Sequence, residues 1–481
     1  MTVASAVLFT VLFITAIIIL NTLKLSRKKT YVSDPENPDI DISRAAEKLS
    51  EAVKIPTISY ADKSRIDFSR LVEYRNLLKK MFPLLHDALE QTIINDYSLI
   101  YKWQASDPSG KPILLMSHMD VVPVEESTAD DWTYAPFSGR IKDGYVWGRG
   151  AIDTKVTMIS IMESIELLIE KGHVPDRDIY LAFGHDEEIH GFNGGKKIAE
   201  YFKEHNVRFE FTIDEGGIIT NDSITGVNGM VALVGIGEKG YADLKISVEA
   251  DGGHASMPSG ITALGQLAKV IANLEKHQMK PSLQKPVIYF LKSIAPYMKI
   301  SSRIIIANLW IFKPLFMKIF LKSKTGNALL RTTTAVTMAN AGSAPNVLPQ
   351  KAYIIVNHRI APHENIDTLL NHIKSVNKNI PLEIEILKGN NPSKISGIGS
   401  SGFNKIAEAL HILFKDVIVA PYLVMAATDS RYMEEVSDDV YRFAPILLSR
   451  DEISSIHSTN ERISVENIKN CIMFFTEIIS G

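Results

Sequence analysis

From residue 43 onward, strand-like apolar runs alternate with helical patterns, and this alternation restricts the fold more than any other feature of the chain. It is typical of an α/β fold in which helices layer a sheet. Acidic or imidazole side chains follow several of the strand-like runs. Ligands in open α/β sheets bind at the carboxyl ends of the strands, so we expect these side chains to converge. The strand-like runs cover residues 97–103, 113–117, 179–183 and 209–213, and the helical patterns cover residues 49–53, 68–81, 156–171 and 195–204.

The pattern changes at Gly237, where a second, smaller unit begins. At 481 residues the chain is too long for one ordinary core, so two domains are expected. The order strand, helix, two strands, helix, strand is typical of a ferredoxin-like α+β fold. These elements cover residues 241–249, 263–276, 332–338, 352–360, 366–376 and 382–387. We therefore predict a helix-layered mixed-sheet catalytic domain in two parts, residues 43–237 and 393–481, with an inserted lid or dimerisation domain at residues 238–392.

The first 23 residues carry no charged side chain and, as a helix, are long enough to cross about 30 Å of hydrocarbon. We predict a transmembrane anchor at residues 1–23, a linker at residues 24–42, and a single-pass membrane protein. The alternative is a cleaved signal peptide, which would leave the protein secreted or lumenal. The apolar run has no basic residue before it and no Ala-x-Ala site after it, which favours the anchor. Lys24, Arg27, Lys28 and Lys29 favour a cytoplasmic C-terminal side, although long domains translocate regardless of such charges.

Residues 286–324 of the predicted insert are Ile-rich and Phe-rich, are dotted with lysines, and contain no acidic residue. Lys313 and Pro314 interrupt the run, so a second membrane span is not expected. One interpretation is an amphipathic pair of helices packed on the insert. The other is an interfacial surface that contacts lipid or holds an acyl chain.

The net charge argues against a nucleic-acid-binding surface, and the cysteine content excludes disulfides and cysteine-based metal sites. A net charge of −3 gives no overall attraction to phosphate, so we expect no nucleic-acid partner. Cys471 is the only cysteine, so the chain has neither an intramolecular disulfide nor a cysteine-based metal site.

The side chains that follow the strand-like runs are of the types that bind divalent metal ions. Taken singly, each has an ordinary explanation: Asp153 precedes a helix and could be its N-cap, and adjacent glutamates could form a solvated turn. Adjacent glutamates also diverge, which suits one metal ligand and one free base. Together the residues indicate a site for two metals. The set comprises His118, Asp153, Glu187, Glu188, Asp214 and His457.

The spacing of these residues resembles the dizinc metallopeptidase family of carboxypeptidase S, the aminoacylases and the succinyl-diaminopimelate desuccinylases. The resemblance covers roughly residues 45–478, and the long insert is most similar to the branch of carboxypeptidase S and the N-fatty-acyl-amino-acid hydrolases. The matching stretches are Ser117-His-Met-Asp-Val-Val-Pro123, Trp147-Gly-Arg-Gly-Ala-Ile-Asp-Thr-Lys155, Gly184-His-Asp-Glu-Glu188, Ile213-Asp-Glu-Gly-Gly217 and Gly253-His-Ala-Ser256.

The resemblance implies a cofactor of two Zn²⁺ ions, for which Co²⁺ or Mn²⁺ can substitute. One zinc is assigned to His118, Asp153 and Asp214. The other is assigned to Asp153, Glu188 and His457, so that Asp153 bridges the two.

The resemblance also assigns the catalytic and substrate-binding roles. Glu187 is the general base and Asp120 orients His118. His254 polarises the scissile carbonyl from the insert, in one arrangement across a homodimer. Arg359 and Asn346 bind the terminal carboxylate and the backbone of the substrate.

The predicted function is zinc-dependent hydrolysis of an amide bond next to a free carboxylate, by water activated between two metals. Removal of C-terminal residues from small peptides is one interpretation, and hydrolysis or synthesis of N-acyl amino acids is the alternative. A third is a membrane-tethered protein that binds metal without turnover. The side chain or acyl group preferred by the site is left open.

Overall fold

The structure is a computed structural model that describes residues 2–26, 40–108, 110–258 and 260–481. Most of the predicted linker, residues 27–39, lies outside the described residues. The helices are α1 (Val3–Leu25), α2 (Ile42–Lys54), α3 (Ser69–Met81), α4 (Pro83–Ala88), α5 (Val156–Glu170), α6 (Gly195–Glu204), α7 (Ala263–Lys276), α8 (Lys285–Ile294), α9 (Ile300–Ala307), α10 (Leu309–Phe320), α11 (Lys324–Leu330), α12 (Ile366–Val376), α13 (Ser401–Leu413), α14 (Arg450–Ser455) and α15 (Val465–Ser480).

The strands are numbered in the same way along the chain. They are β1 (Glu90–Ile94), β2 (Ser98–Trp103), β3 (Ile113–His118), β4 (Arg140–Lys142), β5 (Tyr145–Trp147), β6 (Ile179–Gly184), β7 (Phe209–Asp214), β8 (Ile219–Asn221), β9 (Met230–Glu238), β10 (Gly240–Glu249), β11 (Gly253–His254), β12 (Thr333–Ala341), β13 (Val347–Leu348), β14 (Lys351–Ile360), β15 (Glu383–Asn390), β16 (Ile418–Val424), β17 (Ser437–Arg442), β18 (Leu447–Leu448) and β19 (Arg462–Ser464).

A ten-stranded mixed sheet forms the centre of the molecule, which confirms the predicted α/β class. Its order is β1-β2-β6-β3-β7-β17-β9-β8-β18, with β16 also paired to β9. β3 runs parallel to both β6 and β7, whereas β2 is antiparallel to β6. All residues of β3 and β6 are buried, because helices cover both faces of the sheet.

Alternate residues of β3 show how the two faces are filled. Ile113 and Leu115 belong to the larger core, which also contains residues of α2, α5 and α15. Leu114 and Met116 belong to a separate core on the opposite face, under α6. The strand ends at His118, so this packing fixes the position of the imidazole.

A separate four-stranded antiparallel sheet is formed within residues 240–390. Its order is β12-β14-β10-β15, and one face is covered by α7 and α12 in a core of its own. With the strands numbered along the chain as first to fourth, this order is second, third, first, fourth, as in ferredoxin-like folds. The role of this unit as a lid or dimerisation domain stays a prediction.

Between α7 and β12, the lysine-dotted segment of residues 286–324 forms three short helices, α8 to α10, and not a single amphipathic pair, and α11 follows from Lys324. They share a core that includes Phe316 and Leu423, the latter from β16 of the central sheet. The uncharged N-terminal segment is a helix, α1, and among the described residues it is the one helix long and apolar enough to cross a membrane.

Candidate metal centre and substrate cleft

The carboxyl ends of three neighbouring strands place the candidate ligands at one edge of the central sheet. His118 is the last residue of β3 and lies opposite Gly184, the last residue of β6. The glutamates that follow β6 and the acidic pair at the end of β7 therefore emerge beside His118. This is the ligand-binding edge expected for parallel strands.

His118 is buried, and both of its ring nitrogens have partners. Nδ1 lies 2.9 Å from the backbone carbonyl oxygen of Asp120, which accepts a hydrogen bond from it. Nε2 lies 3.1 Å from Oδ1 of Asp153 and 3.2 Å from Oε1 of Glu215. A proton on Nδ1 leaves Nε2 as the nitrogen that faces the carboxylates, which is the orientation a metal ligand requires.

His457 contacts the same cluster from the C-terminal part of the chain. Its Nε2 lies 2.8 Å from Oδ2 of Asp153 and 3.3 Å from Oε2 of Glu188. The two oxygens of Asp153 therefore face two different histidines, His118 and His457. This arrangement fits a carboxylate that bridges two cations.

Glu215, and not Asp214, is the acid that the end of β7 brings to His118. Among the described residues, ligand atoms of His118, Glu187 and Glu215 lie within 4.8 Å of one another, as do those of His118, Asp153 and Glu188. Asp214 is in neither group, and its Oδ2 accepts a hydrogen bond from the backbone N–H of Ser430 at 2.9 Å. The ligand role assigned to Asp214 from sequence stays a prediction, and the contacts of the described residues bring its neighbour Glu215 to His118.

Asp120 fixes the turn that carries the two glutamates. Its carboxylate accepts hydrogen bonds from the backbone N–H groups of Glu187 and Glu188, at 3.1 and 3.2 Å, and from the hydroxyl of Ser59 at 2.7 Å. Its Oδ1 is also 3.4 Å from Nδ1 of His118. Asp120 therefore holds the His118 ring and the acidic turn in register with each other.

Glu461 supports the segment around Asp153, and the sequence did not reveal it. Its fully buried carboxylate accepts hydrogen bonds from the backbone N–H groups of Ile152 and Asp153 and pairs with Arg149 at 2.6 Å. Its position four residues after His457 is the one signal that would have drawn attention to it. The pair links the two parts of the chain that carry the ligands.

Burial and mutual repulsion shift three glutamates of the cluster towards their neutral forms, whereas His118 and His457 lower the pKa of Asp153. Burial, reinforced by the charge of Asp153, raises the pKa of Glu188 to about 7 and that of Glu215 to about 8. Burial also raises the pKa of Glu187 well above its ordinary value, and Glu215 and Glu188 add to the rise. Several carboxylates confined to a buried volume are stabilised in their charged forms by cations.

The donor set fits Zn²⁺. Two imidazoles with carboxylate oxygens are ligands that zinc accepts, and catalytic zinc sites use such mixtures. Oε1 of Glu188 is buried and has no hydrogen-bond partner in the described part of the chain, so the oxygen is free to bind a cation. Part of the site is therefore unsatisfied by the protein itself.

The cluster opens into a cleft of about 480 Å³. Arg359, on β14 of the inserted sheet, lines this cleft together with Arg431. The lining also includes the apolar side chains of Ile218, Ile446 and Ile456. Acidic, basic and apolar side chains thus all line the same cleft.

His254 and Asn346 are the two predicted site residues that the single chain does not bring to the cleft. Neither lines it, and both side chains are exposed on the insert. They are neighbours there, because β11 pairs with β13 and the backbone carbonyl of Asn346 accepts a hydrogen bond from Ala255. They therefore form one exposed surface outside the metal centre.

Comparisons with known proteins find relatives over most of the chain. Residues 114–481 match the model of the peptidase family M20/M25/M40. The chain is 35% identical over 475 residues to probable carboxypeptidase S-like 2 of Dictyostelium discoideum, covering 96% of this chain and 91% of that protein. It is 34% identical over 440 residues to N-fatty-acyl-amino acid synthase/hydrolase PM20D1 of Xenopus tropicalis, covering 90% and 85%.

Solved structures show the same fold at low sequence identity. An M20 family metallo-carboxypeptidase from Sulfolobus solfataricus has a TM-score of 0.67 at 17% identity, covering 91% of this chain and 98% of that one. Human carnosine dipeptidase 1 has a TM-score of 0.59 at 14% identity, covering 92% and 97%. At these identities the likeness concerns the fold alone.

Proposed function

The chain belongs to the peptidase family M20/M25/M40, and on that premise we propose that it is a dizinc hydrolase of amide bonds next to a free carboxylate. The observation that carries this proposal is the placement of Glu187. Its carboxylate lies against His118 and Glu215 at the metal centre and within the cleft that Arg359 lines. A base, a metal cluster and a carboxylate-binding group therefore share one cavity.

In the proposed ligand set, His118, Asp153 and Glu215 hold one zinc, and Asp153, Glu188 and His457 hold the other. The support is the pair of contacts that Asp153 makes, Oδ1 towards His118 and Oδ2 towards His457. Two bound Zn²⁺ ions supply an activated water and stabilise negative charge on the carbonyl oxygen.

Glu187 moves the protons of the reaction. Its backbone is fixed by Asp120. Within the described part of the chain its carboxylate pairs with no imidazole, whereas that of Asp153 pairs with two. Burial and neighbouring acids raise its pKa, which suits a group that accepts a proton from water and returns it to the leaving amine.

Arg359 binds the free carboxylate of the substrate. Its guanidinium lies 4.9 Å from the ring centroid of Tyr241 and donates to the carbonyl oxygen of Met425 at 3.4 Å, which fixes its orientation in the cleft. Arginine binds a carboxylate with two parallel hydrogen bonds, so it selects substrates that end in an unblocked carboxyl group.

Two substrate classes satisfy this geometry, a peptide cleaved at its C-terminal residue and an N-acyl amino acid. The similarity to a carboxypeptidase S-like protein supports the first. The similarity to an N-fatty-acyl-amino acid synthase/hydrolase and the apolar wall of Ile218, Ile446 and Ile456 support the second. We place the peptide reaction first and the acyl reaction second.

The test is a zinc-supplemented assay of the full chain on paired panels of blocked dipeptides and N-acyl amino acids, each with a free and an amidated carboxyl end. Glu187→Gln is expected to keep its metal and to lose turnover by several orders of magnitude, because only the proton carrier is removed. Glu204→Gln, on the exposed end of α6, is the matched control and should be fully active. Equal turnover in both variants would remove Glu187 from the mechanism. No turnover by the wild-type chain on either panel would favour a protein that binds metal without catalysis.

We further propose that His254 and Asn346 act on the cleft of a second copy of the chain. Their exposed position outside the cleft supports this, as does the free edge of β12 at the end of the inserted sheet. The test mixes two inactive variants, Glu187→Gln and His254→Ala. Mixed dimers should regain activity, because one of their clefts has both residues. A mixture that stays inactive would place His254 in its own chain's site.

The helix α1 is proposed as a single membrane-spanning anchor. Its 23 residues are uncharged up to Lys24, and Val3 to Phe13 are exposed. A helix of this length extends about 34 Å, enough for the hydrocarbon core of a bilayer. Carbonate extraction of membranes that contain the full chain tests this: release into the supernatant contradicts a span.

A further inference from the structure

The C-terminal half of α1 is docked on the insert, whereas its N-terminal half is free. Half-buried and buried positions recur along one stripe of the helix, at Ile14, Ile18, Asn21, Thr22 and Leu25. Before Ile14, every described residue of the helix is exposed. This stripe, with its helical spacing, is the face that α1 turns towards the protein.

Asn308, between α9 and α10, is the polar centre of this contact. It is fully buried, and its amide nitrogen donates to the carbonyl oxygens of Ile18 and Ile304, at 3.2 and 3.0 Å. Its amide oxygen accepts from Asn21 at 3.0 Å and from the indole N–H of Trp310 at 3.2 Å. These hydrogen bonds fix the positions of Asn308 and Trp310 along the axis of α1.

This position along α1 coincides with the boundary of the hydrocarbon core if α1 spans a bilayer. Residues 3–20 of α1 extend beyond Asn21 by about 27 Å, at about 1.5 Å per residue. The hydrocarbon core is about 30 Å thick, so a span over these residues places Asn21 and Asn308 at the boundary between acyl chains and headgroups. Trp310 then lies where tryptophan is enriched in membrane proteins.

The outer face of α10 has the composition of an interfacial helix. Four large apolar side chains are exposed there, Trp310 (57%), Ile311 (41%), Leu315 (46%) and Ile319 (55%). Exposed lysines lie between them, at positions 313 and 318, and just after the helix, at position 322. No acidic residue occurs between Glu275 and Glu364, so nothing on this segment repels anionic headgroups. Lysine side chains can reach headgroups while their methylene stems cover apolar surface.

We propose that α10 lies in the headgroup–acyl boundary of the leaflet at which α1 ends, with its apolar side chains among the acyl chains and its lysines on the phosphates of anionic lipid. This rests on the proposed span of α1 and adds a second, peripheral contact beside it. The contact bears on the cleft, because Phe316 of α10 and Leu423 of β16 share a core, and residues 426–428 after β16 line the cleft. One strand therefore joins the lipid-facing helix to the wall of the cleft.

The test uses the full chain in vesicles of equal parts phosphatidylcholine and phosphatidylglycerol. A nitroxide is attached at Leu315→Cys, at Ile319→Cys, at Leu8→Cys in the anchor, or at Val174→Cys, an exposed apolar position of the catalytic part. The native Cys471 is fully buried and stays unlabelled. Collisions with oxygen, which concentrates in lipid, are compared with collisions with a water-soluble nickel chelate. Labels at 315 and 319 are expected to favour oxygen several-fold relative to the label at 174.

The outcomes separate this inference from the proposed span. If the label at 8 is in lipid while those at 315 and 319 match the label at 174, the span stands and the inference fails. A label at 8 exposed to water overturns both, because the depth of α10 is counted from the span. Dipolar broadening between labels at 319 on two chains would assign the surface to a second copy instead.

A change of lipid tests the lysines. In vesicles of phosphatidylcholine alone, the labels at 315 and 319 are expected to become shallower. The double variant Lys318→Gln/Lys322→Gln should cause the same shift in the mixed vesicles. Equal depth under all these conditions would overturn the assignment of the lysines to lipid phosphates.

Discussion

Replacing the two adjacent acids at the end of β7 one at a time decides which of them binds metal. Glu215→Gln is expected to lose one of two zinc equivalents, because Oε1 of Glu215 lies 3.2 Å from Nε2 of His118 inside the ligand cluster. Even residues that contact ligands indirectly change metal affinity by about 10–100-fold. Loss of a direct charged ligand should therefore exceed about 100-fold. Asp214→Asn should keep both equivalents, since an amide oxygen can still accept the hydrogen bond from Ser430.

The stability of the metal-free protein provides a second test. Without metal, Glu215→Gln is expected to stabilise the protein, the opposite of its effect on metal binding. The ordinary pKa of Glu215 is 4.5, and burial raises it in the folded protein to about 8. Below 4.5 the group is protonated in both the folded and the unfolded chain and costs nothing. As pH rises from 4.5 to 8, the unfolded chain loses this proton first, so the free energy of unfolding falls by on the order of a few kcal/mol. At pH 8 the metal-free Glu215→Gln protein should therefore be more stable than the metal-free wild type.

With zinc bound, the order reverses, because a ligand that binds only the folded state adds stability in proportion to its affinity. The measurements are metal content by mass spectrometry after dialysis, and thermal unfolding with excess zinc and with chelator. The reasoning is refuted if Asp214→Asn loses a zinc while Glu215→Gln keeps both. It is also refuted if Glu215→Gln lowers the unfolding temperature equally with and without metal.

Three further substitutions test a glycine with positive φ and two buried titratable side chains. Gly191→Ala should destabilise the protein by at least about 2 kcal/mol, because the residue has φ +64° and its Cβ would lie 1.7 Å from Oδ1 of Asp429. The control is Gly172→Ala, where φ is +70° and the space around the Cβ is open. It should lower the free energy of unfolding by about 1 kcal/mol, measured by thermal unfolding. Glu461→Gln should cost about 3–5 kcal/mol, because it leaves the buried Arg149 unpaired, and the added change Arg149→Met should recover much of the loss. Burial lowers the pKa of His358 from 6.5 to about 4. The free energy of unfolding should therefore fall by about 3 kcal/mol as pH falls from 6.5 towards 4. His358→Gln should flatten this pH dependence in unfolding scans.

Several elements of the catalytic part and of the insert could be predicted from sequence because their local signals agree. The helices α6, α7 and α12 begin and end at the predicted residues. For α12 the reason is visible at its start, where Asn365 and Thr368 form a capping box. The strands β3, β6 and β7 each extend one residue beyond their predicted ends. Polar residues that follow these predicted runs, such as His118 and Glu188, lie together at one edge of the sheet.

The choice between Asp214 and Glu215 could not be predicted by the same means. Five of the six residues of β7 are buried, because the strand lies in the middle of a sheet covered on both faces. The alternation that would assign each side chain to a face is then lost. Only the position of the neighbouring β3, which carries His118, determines which acid reaches the cluster.

The docking of α1 on the insert also has no local signal, since Asn21 and Asn308 are 287 positions apart. What the sequence does contain is a polar amide within each of two apolar runs. A buried amide needs partners, and in this molecule each provides one for the other. A polar residue inside an apolar segment is therefore the sequence feature that indicates this contact.

The distribution of charge around the cleft explains why one site suits both proposed substrate classes. The acids at the metal end repel a substrate carboxylate, whereas Arg359 and Arg431 attract it, so an unblocked carboxyl group fixes the orientation of the molecule before its other half is recognised. A C-terminal residue of a peptide and the amino-acid half of an N-acyl amino acid present the same group. We expect discrimination between them to come from the other side of the amide bond, where contact with the apolar lining residues Ile218, Ile446 and Ile456 would select the substrate. An apolar wall distinguishes chains by the area they bury, at roughly 25 cal/mol per Å². Long acyl chains and large apolar side chains are thus favoured together, and small polar ones are disfavoured in both classes.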